Sequence, residues 1–324
     1  MNCKRALTIA LLAAVAAAVA ATSSQATAPG KNGQIAFRRY MDPDKERGAI
    51  FTINPDGTGE RQVTHPSKGT VDTNPDWSPD GSLILFSRGS AGGAGAIYTV
   101  RSNGSALKRL TPACSPNAEA TKCEDDYLAE FSPDGRQVAF SSFTANGSGA
   151  SIVVTDVRGR NRRVVIAGSK NAAYSDPQFS PDGRRLLFTR TSEPGEKQLA
   201  ILVAGVSGAG AHQITPWSLN AGDNPDWSPD GKWILFRSHA EDGKQSQVYV
   251  IHPAGTGLRQ LTHLKQGTIV TSSSFSPDGK WIVLGSSGVG GQADLFVMRA
   301  DGTEMRPITR TKLWDSAPDW GPAR

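Results

Sequence analysis

Acidic side chains and histidines are the residues of this sequence whose types and spacing could support chemistry. Asp76, Glu130, Asp226 and Asp319 each stand one residue before an aromatic, and Gln178 and Ser274 hold the equivalent places of the same pattern. A few residues earlier come Asp72, Asp126, Asp223 and Asp315. If the latter four face one opening, carboxylates from separate parts of the chain converge there. Such an oxygen cluster suits a hard cation, Ca²⁺ first among them, or a basic segment of a partner protein. The competing reading is that acidic residues in such places accept hydrogen bonds from neighbouring backbone and hold no ligand. For Asp76, Asp226 and Asp319 that structural reading is preferred. For Asp72, Asp126, Asp223 and Asp315 both stay open.

The other candidates are weaker. His65, His212, His239, His252 and His263 raise the question of a metal, but zinc takes three or four ligands at about 2 Å, and no three-histidine spacing is present. The glycine-rich serine stretch at 285–290 lacks the strand–Ser–helix context that activates a nucleophile. Arg158, Arg160, Arg162 and Arg163 read as a solvated charge run on a turn. Without Lys4 and Arg5 the chain has 33 basic against 30 acidic residues, which is no nucleic-acid signature.

The elements that must position these groups are repeats. Ser-Pro-Asp-Gly occurs at 78–81, 132–135, 180–183, 228–231 and 276–279, each copy after an aromatic. With Trp320 as the sixth, the aromatics are spaced 54, 48, 48, 48 and 45 residues apart, a period that marks a repeat architecture. Proline presets φ, aspartate bonds nearby backbone and glycine takes φ > 0, so Asp80, Asp134, Asp182, Asp230 and Asp278 are turn formers rather than catalysts. Each turn is followed by a β-rich segment with an apolar pair such as Ile84/Phe86 or Ile234/Phe236, then a third strand, then a fourth ending in a pair such as Leu261-Thr262. Four antiparallel strands per repeat make one propeller blade. Residues 33–37 form a second strand with no first strand ahead, and 317–320 a first strand with no second strand behind. Joining them predicts an all-β, six-bladed β-propeller whose ring closes by pairing the N- and C-terminal strands.

The string Pro-Asp-Trp-Ser-Pro-Asp-Gly at 75–81 and 225–231, followed by Ile-x-Phe and later by Asp-Gly and Leu-Thr, resembles the WD-like repeat of TolB-type six-bladed propellers. TolB also carries an N-terminal α/β domain for which this sequence has no counterpart. The resemblance implies a docking platform for envelope protein, a peptidoglycan-associated lipoprotein in the Tol–Pal role. A related propeller with histidine metal ligands is a lyase of pectic fragments, so a cell-surface carbohydrate-active or glycan-binding propeller, with its site in the central funnel, is the alternative.

A positive start, an apolar run from Ala6 to Ala21 and small residues before 26 read as a signal peptide over 1–26, with one propeller domain over 27–324. Export to the periplasm or beyond the cell follows, with no membrane span kept after cleavage. The protein expected is a monomeric, non-enzymatic scaffold. Cys114 and Cys123 then sit in an oxidising compartment within one loop, where a disulfide would add about 2–3 kcal/mol. Variable loops at 38–48, 87–95, 111–126, 141–149, 191–196, 239–246 and 286–292 share one face, where partners are expected.

Overall fold

In the computed structural model, residues 29–90, 93–112, 124–144, 149–192, 198–239, 245–288 and 292–324 are described. The leader over 1–26 and the Cys114–Cys123 pairing lie outside them.

The described strands fall into six antiparallel sets of four. The first strands are Thr70–Trp77, Glu124–Phe131, Ala173–Phe179, Ala221–Trp227, Ile269–Phe275 and Trp314–Pro322. Trp314–Pro322 belongs with the N-terminal strands: it pairs antiparallel with Asn32–Tyr40, placing Ile35 opposite Trp320 and Tyr40 opposite Trp314. The two chain ends therefore build one split blade, and the ring closes there as the half-repeats predict. We count the split blade as the first and number the others along the chain. The fold is a β-propeller.

Apolar alternation along the second strands produces the core. Phe37, Phe86, Phe140, Phe188 and Phe236 are all fully buried. Side chains of successive strand residues point to opposite faces, so Ile84 and Phe86 pack back against Ala36, Ile50 and Val63 of the first blade. Leu85, between them, packs forward against Phe131 and Phe140 of the third. Six such clusters each join two neighbouring blades, and the pairs run round the ring without a gap.

The repeated turns close the first hairpin of a blade. In the copy at 228–231, Gly231 takes φ +68° and donates its amide to Ser228 O at 2.8 Å. Ser228 Oγ donates to Asp230 Oδ1 at 2.7 Å, and Asp230 Oδ1 also accepts the Lys232 amide at 3.1 Å. The other copies repeat this geometry. In five of the six blades a threonine just after the fourth strand ties that strand to the third. Most fourth strands are two residues long, and the Thr64, Thr111, Thr215, Thr262 and Thr309 hydroxyls accept a third-strand amide at 2.9–3.1 Å.

Trp320 tests the closure. It is buried in the cluster joining the sixth and first blades, and its indole N–H donates to Gly33 O at 3.2 Å. Trp320→Ala is expected to lower stability by about 3–5 kcal/mol, read from the midpoint of denaturant unfolding.

Candidate functional site

First strands line the central channel, and five of the six carry a kink three residues before the aromatic. Asn74, Leu128, Asp176, Asn224 and Ala317 occupy this place with φ between +49° and +55°, where the pairing register shifts. The left-handed conformation costs a non-glycine residue about 1–2 kcal/mol. The kink turns the strand so that the residue just before the aromatic reaches the next blade.

Those residues bind blades together. The Trp77 amide donates to Asp319 Oδ2 at 2.8 Å, the Phe131 amide to Asp76 Oδ2 at 2.8 Å, and the Phe275 amide to Asp226 Oδ2 at 2.6 Å. Glu130 takes the Phe179 amide in the same way. At the fourth blade Gln178 Oε1 has no partner among the described residues, and at the sixth Ser274 Oγ donates to Asp319 Oδ1 at 3.2 Å.

Crowding four carboxylates around one channel has an electrostatic cost. Burial, reinforced by neighbouring carboxylates, pushes Asp76 and Glu130 well above the usual carboxylate range. Burial pushes Asp226 up to about 7 and Asp319 up to about 6. Asp176, one layer nearer the loops, is raised to about 6 by burial and by Asp223. The space left between them is about 60 Å³, room for a few waters. Asn74 Nδ2 donates across it to Asn224 Oδ1 at 3.2 Å, joining the second and fifth blades and closing the waist.

Asp72, Asp126, Asp223 and Asp315 do not converge, which corrects the expected shared mouth. Asp72, Asp126 and Asp315 stand five residues before their aromatics, but Asp223 stands four. Asp223 also takes φ +55° within the register shift between Gly222 and Asp226, so it does not occupy the place of the other three. The first three are buried away from the channel, each against an arginine. Arg88 grips Asp72 with two bonds of 2.5 and 2.8 Å. Arg39 grips Asp315 at 2.7 and 2.8 Å and also Glu60. Arg162 reaches Asp126 at 3.4 Å and Glu124 at 2.7 Å, so it is not part of a solvated run. Three of these guanidinium groups lie over the rings of Phe37, Phe86 and Phe140.

Asp223 alone stays on the channel side, with Arg237 at 2.5 Å and His239 Nε2 at 3.0 Å. Burial opposes its charge, but the His239 hydrogen bond and Arg237 outweigh that and hold it down to about 2. Among the described residues no three His, Cys, Asp or Glu side chains come together as a metal cage. With three of the four aspartates neutralised by arginine on another face, they offer Ca²⁺ no common site. Counting from each aromatic would have separated Asp223 from the other three. The arginines lie on other strands, and no local spacing signals them.

Comparison with known proteins agrees on the fold. A family model described as the TolB beta propeller domain matches residues 127–324. The structure resembles TolB from Acinetobacter baumannii with a TM-score of 0.72 at 21% identity, covering 91% of this chain and 68% of that one. It resembles a chain of a nidogen/laminin complex with a TM-score of 0.64 at 12% identity, covering 87% of this chain and 96% of that one. An oligogalacturonate lyase in complex with manganese matches with a TM-score of 0.56 at 12% identity, covering 87% of both chains.

The channel sets a pH dependence. Carboxylates in the unfolded chain titrate near 4, whereas Asp226 and Asp319 hold their protons to about 7 and 6 when folded. Between those limits the folded state binds more protons, so their contribution is complete below pH ~4 and is lost as pH rises through 6 to 7. Asp223 works in the opposite sense: its contribution is present above pH ~4 and lost as pH falls toward 2. Stability should therefore peak at mildly acidic pH and decline towards pH ~8. Asp226→Asn keeps an acceptor for the Phe275 amide and should flatten that decline, gaining on the order of 1 kcal/mol at pH ~8. Thermal unfolding of both proteins across the range reads this directly.

Proposed function

The chain belongs to the family of TolB β-propeller domains, and from that premise we propose that it is an exported scaffold that docks another protein on the loop face of its ring. The observation that carries this reading is the closed waist. The Asn74–Asn224 bond crosses the channel, and the carboxylates beneath it are engaged in holding blades together. What remains for recognition is the mouth and the loops around it, carried on a ring with little freedom to deform. Functional residues concentrate on loops that a rigid scaffold positions. The leader pattern at 1–26 supports a location outside the cytoplasm, and a lipoprotein or other envelope or extracellular protein is the partner class proposed. A similar propeller fold in a chain of the nidogen/laminin complex fits a ring used for protein contacts.

A second reading has one specific observation behind it. The fold resembles an oligogalacturonate lyase solved with manganese, and His239 with Asp223 and Arg237 forms a polar cluster on the channel side of the mouth. Turnover of oligogalacturonate that needs a divalent metal and disappears in His239→Ala would establish it in place of docking.

The docking reading is tested by capture from envelope and extracellular fractions. Glu46 and Lys68 line a groove on the loop face, and Lys280 follows a turn on the opposite face. The double reversal Glu46→Lys with Lys68→Glu is expected to weaken capture of a specific protein by about tenfold or more, while Lys280→Glu leaves it unchanged. Equal effects of the two changes, or no specific capture by the wild type, would sink the proposal.

A further inference from the structure

Arg38 differs from four other arginines around the ring. Arg39, Arg88, Arg162 and Arg237 each hold an aspartate of their own blade. The closest counterpart is Arg237, which like Arg38 stands three residues after the first core residue of its strand. Arg237 meets Asp223, but the residue in the corresponding place of the first blade is Ser316. Arg38 therefore has hydroxyl partners alone: Nε and Nη2 donate to Ser316 Oγ at 3.1 and 2.7 Å, and Nη1 donates to Thr73 Oγ1 at 2.7 Å. Thr73 Oγ1 passes its own proton to Asn74 Oδ1 at 2.9 Å, so the contact is locked into the bond that closes the waist. The guanidinium is pinned without being neutralised. Three of its five N–H groups are used, and among the described residues none donates to a carboxylate.

A second cation is held beside it. Lys45 adopts φ +58° in a turn tied by its amide to Asp42 O at 3.2 Å and by the Glu46 amide to Asp42 Oδ1 at 2.8 Å. The turn sets Lys45 Nζ 3.3 Å from the centre of the Trp314 ring and 5.8 Å from that of Tyr40. Arg38 lies 4.4 Å over the same Tyr40 ring. Burial lowers the pKa of Arg38; burial and then the Arg38 charge lower that of Lys45. For Arg38 the shift marks a largely buried positive charge that meets only hydroxyl groups, which a protein seldom keeps away from water unless something else supplies the anion; Lys45 is exposed beside it.

We propose that Arg38, Lys45, Tyr40 and Trp314 form a receptor for a single carboxylate of a peptide partner, an acidic side chain or a chain terminus, with the aromatic rings packing its neighbours. This rests on the docking reading and names the chemistry of one contact within it. The planar guanidinium offers paired donors that match a carboxylate, and hydroxyl pinning means little order is lost on binding. A polyuronate is disfavoured by the same map, because a charge on every sugar would bring further carboxylates over a channel already lined by Asp76, Glu130, Asp176, Asp226 and Asp319.

The test follows the Arg38 Nε–H signal in 15N-arginine-labelled protein, assigned by its loss in Arg38→Gln. The probes are the acetylated, amidated pentapeptide Gly-Gly-Glu-Gly-Gly, its Gln counterpart and trigalacturonate. A saturable shift with the Glu peptide is expected, about tenfold or more weaker with the Gln peptide and reduced in Lys45→Gln. Independently of any ligand, Arg38→Met should leave thermal stability unchanged or raised, whereas Arg39→Met lowers it. Equal response to the Glu and Gln peptides, no response to either, or an Arg38→Met loss matching that of Arg39→Met would overturn the assignment. Tighter binding of trigalacturonate than of the Glu peptide would overturn the peptide and leave a uronate site. Failure of the docking reading alone looks different: the Arg38 signal responds to the Glu peptide, but the groove reversal leaves capture of whole proteins unaffected.

Discussion

One hydrogen bond organises the ring: a carboxylate on one blade accepting the amide that begins the hairpin turn of the next. Asp319 to Trp77, Asp76 to Phe131 and Asp226 to Phe275 repeat it with distances of 2.6–2.8 Å. Each such bond contributes about 0.5–1.5 kcal/mol when its acceptor is a neutral carboxyl, and apolar clusters between blades lock the same junctions from the outside. The bond also dictates what the channel can be. It requires the left-handed kink three residues ahead of the aromatic, and it gathers acidic groups into a space of about 60 Å³. Their mutual repulsion and burial appear as raised pKa values. The joint after the fourth blade, where Gln178 Oε1 has no partner among the described residues, departs from the pattern.

This constraint moves recognition away from the channel. Groups that look available in the sequence are occupied: the acids before the aromatics by amides, and Asp72, Asp126 and Asp315 by arginines that lie on the blades' own phenylalanine rings. The split blade departs from the rest. Closing the ring there brings Trp314 opposite Tyr40 and puts Ser316 where the fifth blade has Asp223, which leaves Arg38 with hydroxyl partners. Where the two terminal strands pair, an arginine is thus left that meets no carboxylate among the described residues.

The repeat was legible for a physical reason. A Ser-Pro-Asp-Gly turn is made by contacts within a few residues, so its consequences are written locally, and five copies fix the spacing of everything between them. The threonines ending the fourth strands were visible as a motif, though their hydrogen bond to the third strand was not. The candidate site was legible in part. Asp76, Asp226 and Asp319 do what the repeat suggests. Treating Asp72, Asp126, Asp223 and Asp315 as one set overlooked a one-residue difference in position, which puts Asp223 inside the register shift of its strand. Arg162, taken for part of a surface run, reaches back to Asp126 and Glu124 from the loop before its strand.

The sequence by itself determined the strands, their grouping and the pairing of the chain ends, because each depends on local turn chemistry and on apolar alternation of period two. It also determined which residues sit just before each aromatic. The tertiary structure alone decided which charges are neutralised and which are left over, since each ion pair joins different strands and its energy depends on distances set by packing. Arg38 and Arg39 are neighbours of the same type. Only the ring decides that Arg39 meets Asp315 and that Arg38 meets Ser316 and Thr73.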